Sequence, residues 1–223
     1  MTATPASRPV APREVATATS AGQASRAGSS LTAGLVLTDR LSIRALQAAD
    51  VSTLLAYYDR NRDHLRRWEP TRDASFYSRA TQARLVQDAQ RQARNGEALR
   101  YTIRWLADND RRDAEILGLV SLTGIRRGVH QSAELGFSLD QTVTGKGVMF
   151  EAVRAVCRHA FAFLGLHRVE AYVQPDNERS RRLLDRSGFQ NEGLMRGALQ
   201  INGAWRDHRL YARLSTDCNE GSA

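Results

Sequence analysis

Between Ala133 and Ala160 the spacing of apolar residues changes from two to about 3.6, and it changes across a turn framed by two glycines. Ala133, Leu135, Phe137 and Leu139 alternate as a half-buried strand does. Val148, Ala152, Ala155, Val156 and His159 then line one helix face, widened by Met149, Val153 and Ala160. A strand delivered into a helix by Thr144-Gly145-Lys146-Gly147 commits the chain to an α/β fold. The same junction aims several backbone N–H groups at one spot before the helix, which makes a cradle for an anion. It lacks the Gly-Lys-Ser/Thr of a Walker loop and the second glycine run of a dinucleotide fingerprint, so an ordinary strand-to-helix connection is the competing reading.

Around this junction the periodicity predicts the other elements. A strand runs from Leu35 through Leu37, Leu41, Ile43 and Ala45, with Thr38-Asp39 as an irregularity. A helix begins at Ala49-Asp50 and carries Leu54, Leu55 and Tyr58; a loop, His64 to Arg72, holds Trp68-Glu69-Pro70; an Arg- and Gln-rich helix spans Ser78 to Asn95. Strands follow at Leu99 to Leu106 and Ile116 to Ile125, separated by a polar turn at 107–112. After the central helix come a strand with Val169, Ala171 and Val173, a short helix from Asn177 to Ser187, and two strands around the hairpin signal Asn202-Gly203. Consecutive strands followed by strand–helix–strand units imply one domain, residues 34–216: a mixed, largely antiparallel sheet flanked by helices on both faces.

Composition narrows the function. The 33 N-terminal residues are mostly Ala, Ser, Thr, Gly and Pro, and cannot bury enough surface to offset their ordering entropy, so a disordered tail is expected there and a short one at 217–223. The first tail's three arginines and one glutamate give a faint likeness to an organelle transit peptide, without the amphipathic face. They account for +2 of the formal net charge of +8, so the domain is itself basic and suits polyanions such as RNA or phosphorylated cofactors. The apolar run Ala160–Leu164 is far short of the ~20 residues of a membrane span. Two cysteines without metal spacing, and five scattered histidines, give no zinc site and fit the cytoplasm.

About thirty residues beyond the glycine turn, Asn177-Glu178-Arg179-Ser180 leads through Leu183-Leu184 to Gly188-Phe189, a capped helix on its own terms. The two motifs in this order, one helix and one strand apart, resemble the GCN5-related N-acetyltransferases, over roughly Leu35 to Leu214. Within that family the chain looks most like the RimJ-type ribosomal-protein-alanine N-acetyltransferases, on Trp68-Glu69-Pro70 with Arg72-Asp73, Gly145 to Ala152, His167-Arg168, and Gly203 to His208. The resemblance implies acetyl-CoA as donor and no metal. It also implies a ribosomal-protein N-terminus as acceptor, possible ribosome or RNA contact, and a monomer or dimer.

It carries over Leu139, Thr144, Gly145, Lys146, Gly147, Val148 and Asn177 as cofactor contacts. Thr142 replaces the usual Gln or Arg of the loop, and Leu184 the tyrosine that many members use to protonate the leaving thiolate. An α-amine ionises about 2.5 pH units below a lysine, worth about 3.4 kcal/mol, so a weak base suffices. Glu134 is the candidate base, through water, and Ser180 the candidate acid, with a backbone N–H near Leu139 for the oxyanion. Glu69 and Asp207 are candidates for the substrate's ammonium, and Trp68, Tyr101 and Trp205 for the cleft walls. Competing readings are an acetyltransferase for a small amine or peptide antibiotic, and a ribosome- or RNA-binding assembly factor.

Overall fold

The computed structural model describes residues 35–106 and 115–219. The expected N-terminal tail and the polar turn at 107–112 lie outside those residues. Of the expected C-terminal tail, 217–219 belong to a 3-10 turn, Ser215–Asn219, in which Asp217 accepts the Leu214 N–H at 2.8 Å.

In chain order the elements are β1 (Leu35–Leu37), β2 (Leu41–Ala45), α1 (Val51–Arg60), α2 (Arg62–Arg66), α3 (Arg79–Arg94), β3 (Leu99–Trp105), β4 (Gly118–Arg126) and β5 (Ser132–Leu139), then α4 (Val148–Ala162), β6 (Arg168–Val173), α5 (Glu178–Arg186), β7 (Gln190–Ile201) and β8 (Ala204–Leu214). The strands form one sheet in the order β1-β2-β3-β4-β5-β6-β8-β7. Every pairing is antiparallel except β5 with β6. Asn202 and Gly203, at φ +53° and +78°, make the turn between β7 and β8, as the Asn-Gly signal predicts.

Two expectations are corrected. The stretch 35–45 is a hairpin, not one strand: the Thr38 N–H donates to the Leu41 carbonyl at 3.0 Å and the Leu41 N–H to Thr38 Oγ1 at 2.9 Å, which reverses the chain at the expected irregularity. The loop expected from His64 begins later, because Leu65 is buried and draws Arg62–Arg66 into a further helical turn.

Strand alternation sorts the side chains onto two cores. Leu99, Tyr101, Ile103, Val120, Leu122, Ala133, Leu135, Val169, Ala171 and Val173 pack with the apolar stripe of α4. The opposite face is covered by α1 and α3, through Val51, Leu54, Tyr57, Leu65, Val86 and Ile116. A charged knot also lies on that second face. Asp50, 2% exposed, accepts from Arg44 at 2.6 and 3.0 Å, from Arg104 at 2.9 Å and from the Gln47 N–H at 2.8 Å.

Removing one partner of such a knot strands the buried charge that remains. Asp50→Ala should therefore cost about 3–5 kcal/mol in urea unfolding, because Arg104 is itself 2% exposed. A loss under about 1 kcal/mol would show that the knot is not what anchors α1 to the sheet.

Candidate active site

The parallel pairing of β5 and β6 stops early. Ser132, Ala133 and Glu134 pair with Arg168, Val169 and Glu170, yet β5 continues to Leu139 and β6 to Val173. Asp140 donates its N–H to Leu117 on the β4 side, and successive N–H groups of a strand alternate edges. Phe137 and Leu139 thus turn their backbone N–H groups toward the split. No strand among the described residues pairs with them there.

At the mouth of the split stands the glycine turn. Gly145 and Gly147 have φ of +81° and +75°, and Gly147 is the N-cap of α4 with no side-chain cap. The first bond of α4 runs from the Glu151 N–H to the Gly147 carbonyl, so the N–H groups of Val148, Met149 and Phe150 have no carbonyl within the helix. A Cβ added at Gly145 would meet nothing within 4 Å. Open space in front of uncapped donors fits a diphosphate.

Two clamps hold this turn. Asp140, 1% exposed, accepts from Arg60 at 2.5 Å, Asn61 at 2.9 Å, and the Thr142 N–H and hydroxyl at 2.9 and 2.7 Å. Burial opposes its ionisation, but hydrogen bonds from Asn61, Thr142 and Arg60 outweigh burial and hold the carboxyl down at about 2. Asn61 also accepts the Gln141 N–H at 3.0 Å. On the other side Glu151 takes Arg40 at 2.5 and 2.8 Å and the Thr38 hydroxyl, while Arg40 donates to the Lys146 carbonyl at 3.4 Å. Burial raises the Glu151 carboxyl and these donors more than reverse it. Arg40 Nη2 lies 3.6 Å from where a Gly147 Cβ would stand, so a guanidinium flanks the cradle.

On the α1/α3 face a cavity of about 540 Å³ lies against the sheet. Its floor includes Ser121, Gly136 and Ser138, and a Cβ at Gly136 would come within 3.0 Å of Ser121 Oγ, so glycine keeps the floor open. The cavity therefore reaches β5 beside the edge that faces the split. Glu69, Arg72, Tyr58 and Phe76 are shared with a second cavity of about 310 Å³ against residues 62–77. Burial raises the Glu69 carboxyl, only partly offset by Arg72 at 3.8 Å. Gln82, fully buried, also borders the first cavity; its Nε2 donates to the Phe76 carbonyl at 2.6 Å, and Oε1 has no partner.

The structure separates several residues that the sequence groups together. Tyr101 borders the cavity only through its strand: its ring packs on the α4 side, edge-on to His159 at 6.3 Å. Trp68 lies under Arg67, 4.6 Å from ring to guanidinium, and borders neither cavity. Trp205 is 68% exposed, and Asp207 accepts the Gly197 N–H at 2.8 Å inside the β7–β8 hairpin, so of the two candidate carboxylates only Glu69 borders the cavity. Lys146 is exposed, and Thr144 donates to the Asp140 carbonyl at 3.3 Å. Asn177 caps α5 by accepting the Ser180 N–H at 3.1 Å; Ser180 is half-buried. Leu184, fully buried, is core.

Glu134 is half-buried on the cavity face, with Oε1 3.5 Å from a Cβ built on Gly124. Glu134 and Leu139 are five positions apart, roughly 16 Å along the strand. Phe137, nearer by two positions, also turns its N–H toward the gap and is one of the residues lining the cavity. Several residues escaped the sequence reading, Arg40 beside the cradle among them. Asp140 is a lone carboxylate before the turn, and Gln82 heads the buried stripe Gln82-Val86-Ala89, a polar residue at a core spacing. Tyr172 lies just past the last β5–β6 pair and donates to Glu170 at 3.3 Å; burial, then Glu170 and Glu134, raise its phenol. Among the described residues no three His, Cys, Asp or Glu side chains are grouped to hold a metal.

Uncapped backbone donors at the start of α4 and a cavity on the other face of the split sheet are what a group-transfer enzyme with a phosphorylated donor would need. The chain belongs to the acetyltransferase (GNAT) domain family, whose model matches residues 40–190, and it is a GNAT N-acetyltransferase. It is 38% identical over 187 residues to the [ribosomal protein uS5]-alanine N-acetyltransferase of Escherichia coli, covering 82% of this chain and 92% of that one. Among solved structures, the ribosomal-protein-S5-alanine acetyltransferase of Vibrio fischeri superposes with a TM-score of 0.75 at 29% identity, covering 85% and 99% of the two chains. RimJ of Mycobacterium smegmatis in complex with CoA-disulfide gives 0.74 at 28% identity, covering 81% and 84%.

Two outcomes follow from the clamps and the cradle. Gly147→Glu should weaken acetyl-CoA binding by at least about a hundredfold in calorimetry, since it sets a strained backbone and an anion where a diphosphate would lie; affinity within about threefold of wild type overturns the cradle. Asp140 stabilises the fold fully above its unfolded value of 3.8, and that contribution disappears as pH falls toward 2. Asp140→Asn should thus lose about 2 kcal/mol at pH 7 and show a flatter loss below pH 4; parallel acid profiles would remove Asp140 from the acid response.

Proposed function

We propose that this enzyme transfers acetyl from acetyl-CoA directly to the α-amine of a ribosomal protein's N-terminal alanine, within a ternary complex in the cytoplasm. The observation that carries the reading is the meeting of the acceptor-side cavity with the split edge of β5 at Gly136–Ser138. The names of the Escherichia coli and Vibrio fischeri relatives supply the acceptor. Two adjoining cavities with a shared wall suit an extended chain better than a compact amine, which favours the peptide reading over the small-amine one.

Acetyl-CoA supplies an activated thioester. Thr144, Gly145, Lys146, Gly147 and Val148 are the residues that would hold its diphosphate, with Arg40 beside them. The free edges of Phe137 and Leu139 offer backbone groups to an amide-bearing arm entering the split, opposite Asn177 and Ser180 at the start of α5. Phe137 then replaces Leu139 as the N–H donor for developing negative charge on the acyl oxygen, a role in which oriented backbone donors are effective. Glu134 accepts the acceptor's proton through water, and Ser180 or water returns one to the sulfur. Glu69 draws the ammonium into the cavity. The burial of Cys157 in the α4 core favours direct attack over an acyl intermediate at that residue. The basic surface assists approach to a ribosome.

A peptide beginning with Ala should be acetylated at its α-amine more than about a hundredfold faster than an N-blocked copy whose only amine is a lysine, from the amine pKa difference alone. Mass spectrometry of the products decides this. Equal rates, or acetylation of lysine alone, would overturn the N-terminal reading.

A further inference from the structure

We propose that the cavity of about 310 Å³ against residues 62–77 is a subsite for an acidic side chain near the start of the acceptor peptide, with Arg62 as the cation that receives its carboxylate. This rests on the reading that the larger cavity holds the acceptor's first residue. The two cavities share Tyr58, Glu69, Arg72 and Phe76, so a chain whose amine lies in the first has the second as its continuation. Three arginines, Arg62, Arg66 and Arg72, border the second cavity against two carboxylates, Asp63 and Glu69. Glu69 stands on the shared wall with Arg72 3.8 Å away, and Asp63 is exposed on α2. Positive charge is therefore in excess.

Two of these guanidinium groups rest on aromatic rings that line the same cavity. Arg62 lies over Tyr77, 3.7 Å from the ring centroid, and Arg72 over Phe76 at 4.6 Å. The rings are themselves braced. Phe76 meets Tyr58 edge-on at 4.9 Å and Tyr77 at 5.2 Å, while Asp73 accepts the Ser75 and Phe76 N–H groups at 2.8 and 3.2 Å. Stacking occupies the face of a guanidinium and leaves the N–H donors in its plane for an oxygen. Arg62 spends one donor on Asp59, at 2.9 Å, in a pair that is half-exposed or more on both sides. The loop that forms the cavity is also tied from outside: the Thr71 hydroxyl donates to Asn202 Oδ1 at 2.6 Å, and Asn202 Nδ2 donates to the Arg66 carbonyl at 3.4 Å. A planar donor set held in place suits a carboxylate, whereas an ammonium is repelled by it. The ammonium and the acidic side chain of one peptide would thus meet opposite charges in adjoining cavities, Glu69 in the first and Arg62 in the second.

The test compares Ala-initiated peptides carrying either Glu or its neutral isostere Gln at the second, third or fourth residue, on wild type and on Arg62→Gln. Arg62 is chosen because it borders the second cavity alone. Wild type should favour Glu over Gln by about three- to tenfold in kcat/KM at one of these positions at low ionic strength, the worth of one charge-assisted hydrogen bond at a half-exposed site. In Arg62→Gln that preference should fall to within about twofold, while rates on the Gln peptides and acetyl-CoA affinity are kept. A preference that survives the substitution belongs to the basic surface at large and overturns the subsite. So do equal wild-type rates on Glu and Gln at all three positions, a result that needs no variant. A wild type that acetylates none of these peptides but does acetylate a small amine overturns the acceptor reading itself.

Discussion

The cradle and the split beside it, among the described residues, are arranged around a shortage of hydrogen bonds. A parallel strand pair normally satisfies every backbone group along its shared edge. Here β5 and β6 satisfy only the stretch from Ser132 to Glu134, then separate. The start of α4, beyond the end of β5, is also uncapped. A fold that leaves such groups unpaired next to open volume is prepared for ligands that bring the missing partners.

Holding the strands apart requires anchors outside the split. Asp140 ties the end of β5 to the C-terminal end of α1 through Arg60 and Asn61, and Arg60 also reaches the Ile116 carbonyl at 2.6 Å. Glu151 ties α4 to the β1–β2 turn through Thr38 and Arg40. The first clamp comes from the α1/α3 layer and the second from the far edge of the sheet. The turn between them is therefore positioned by both halves of the domain, and its conformation depends on packing well away from it.

Much of the architecture could be read from spacing. The two-to-3.6 transition locates the cradle at Gly145–Gly147, the Asn-Gly pair locates the last hairpin, and α3 lies within a residue of its expected limits. Short-range reversals were less legible. The β1–β2 turn depends on the Thr38 side chain bonding to Leu41, and α2 on the burial of Leu65 against distant elements. Tyr101 shows a further limit: alternation puts it opposite Arg100 and Thr102, but which of the two faces holds the cavity depends on α1 and α3 docking there.

The sequence by itself determined the periodicities, the positive-φ glycines and the composition of the cradle, because those are local properties of neighbouring residues. The tertiary structure alone decided which carboxylate borders the cavity. Glu69 and Asp207 are equivalent as sequence candidates, but Asp207 accepts the Gly197 N–H within its own hairpin and borders neither cavity, while Glu69 stands at a cavity wall with its carboxyl raised by burial. Gln82 is the same case for a neutral group: its helix spacing says core, and only the packing of α3 against the sheet leaves one of its two polar atoms without a partner. A side chain's chemical role depends on what remains unsatisfied after folding, and that is settled only when the elements have packed.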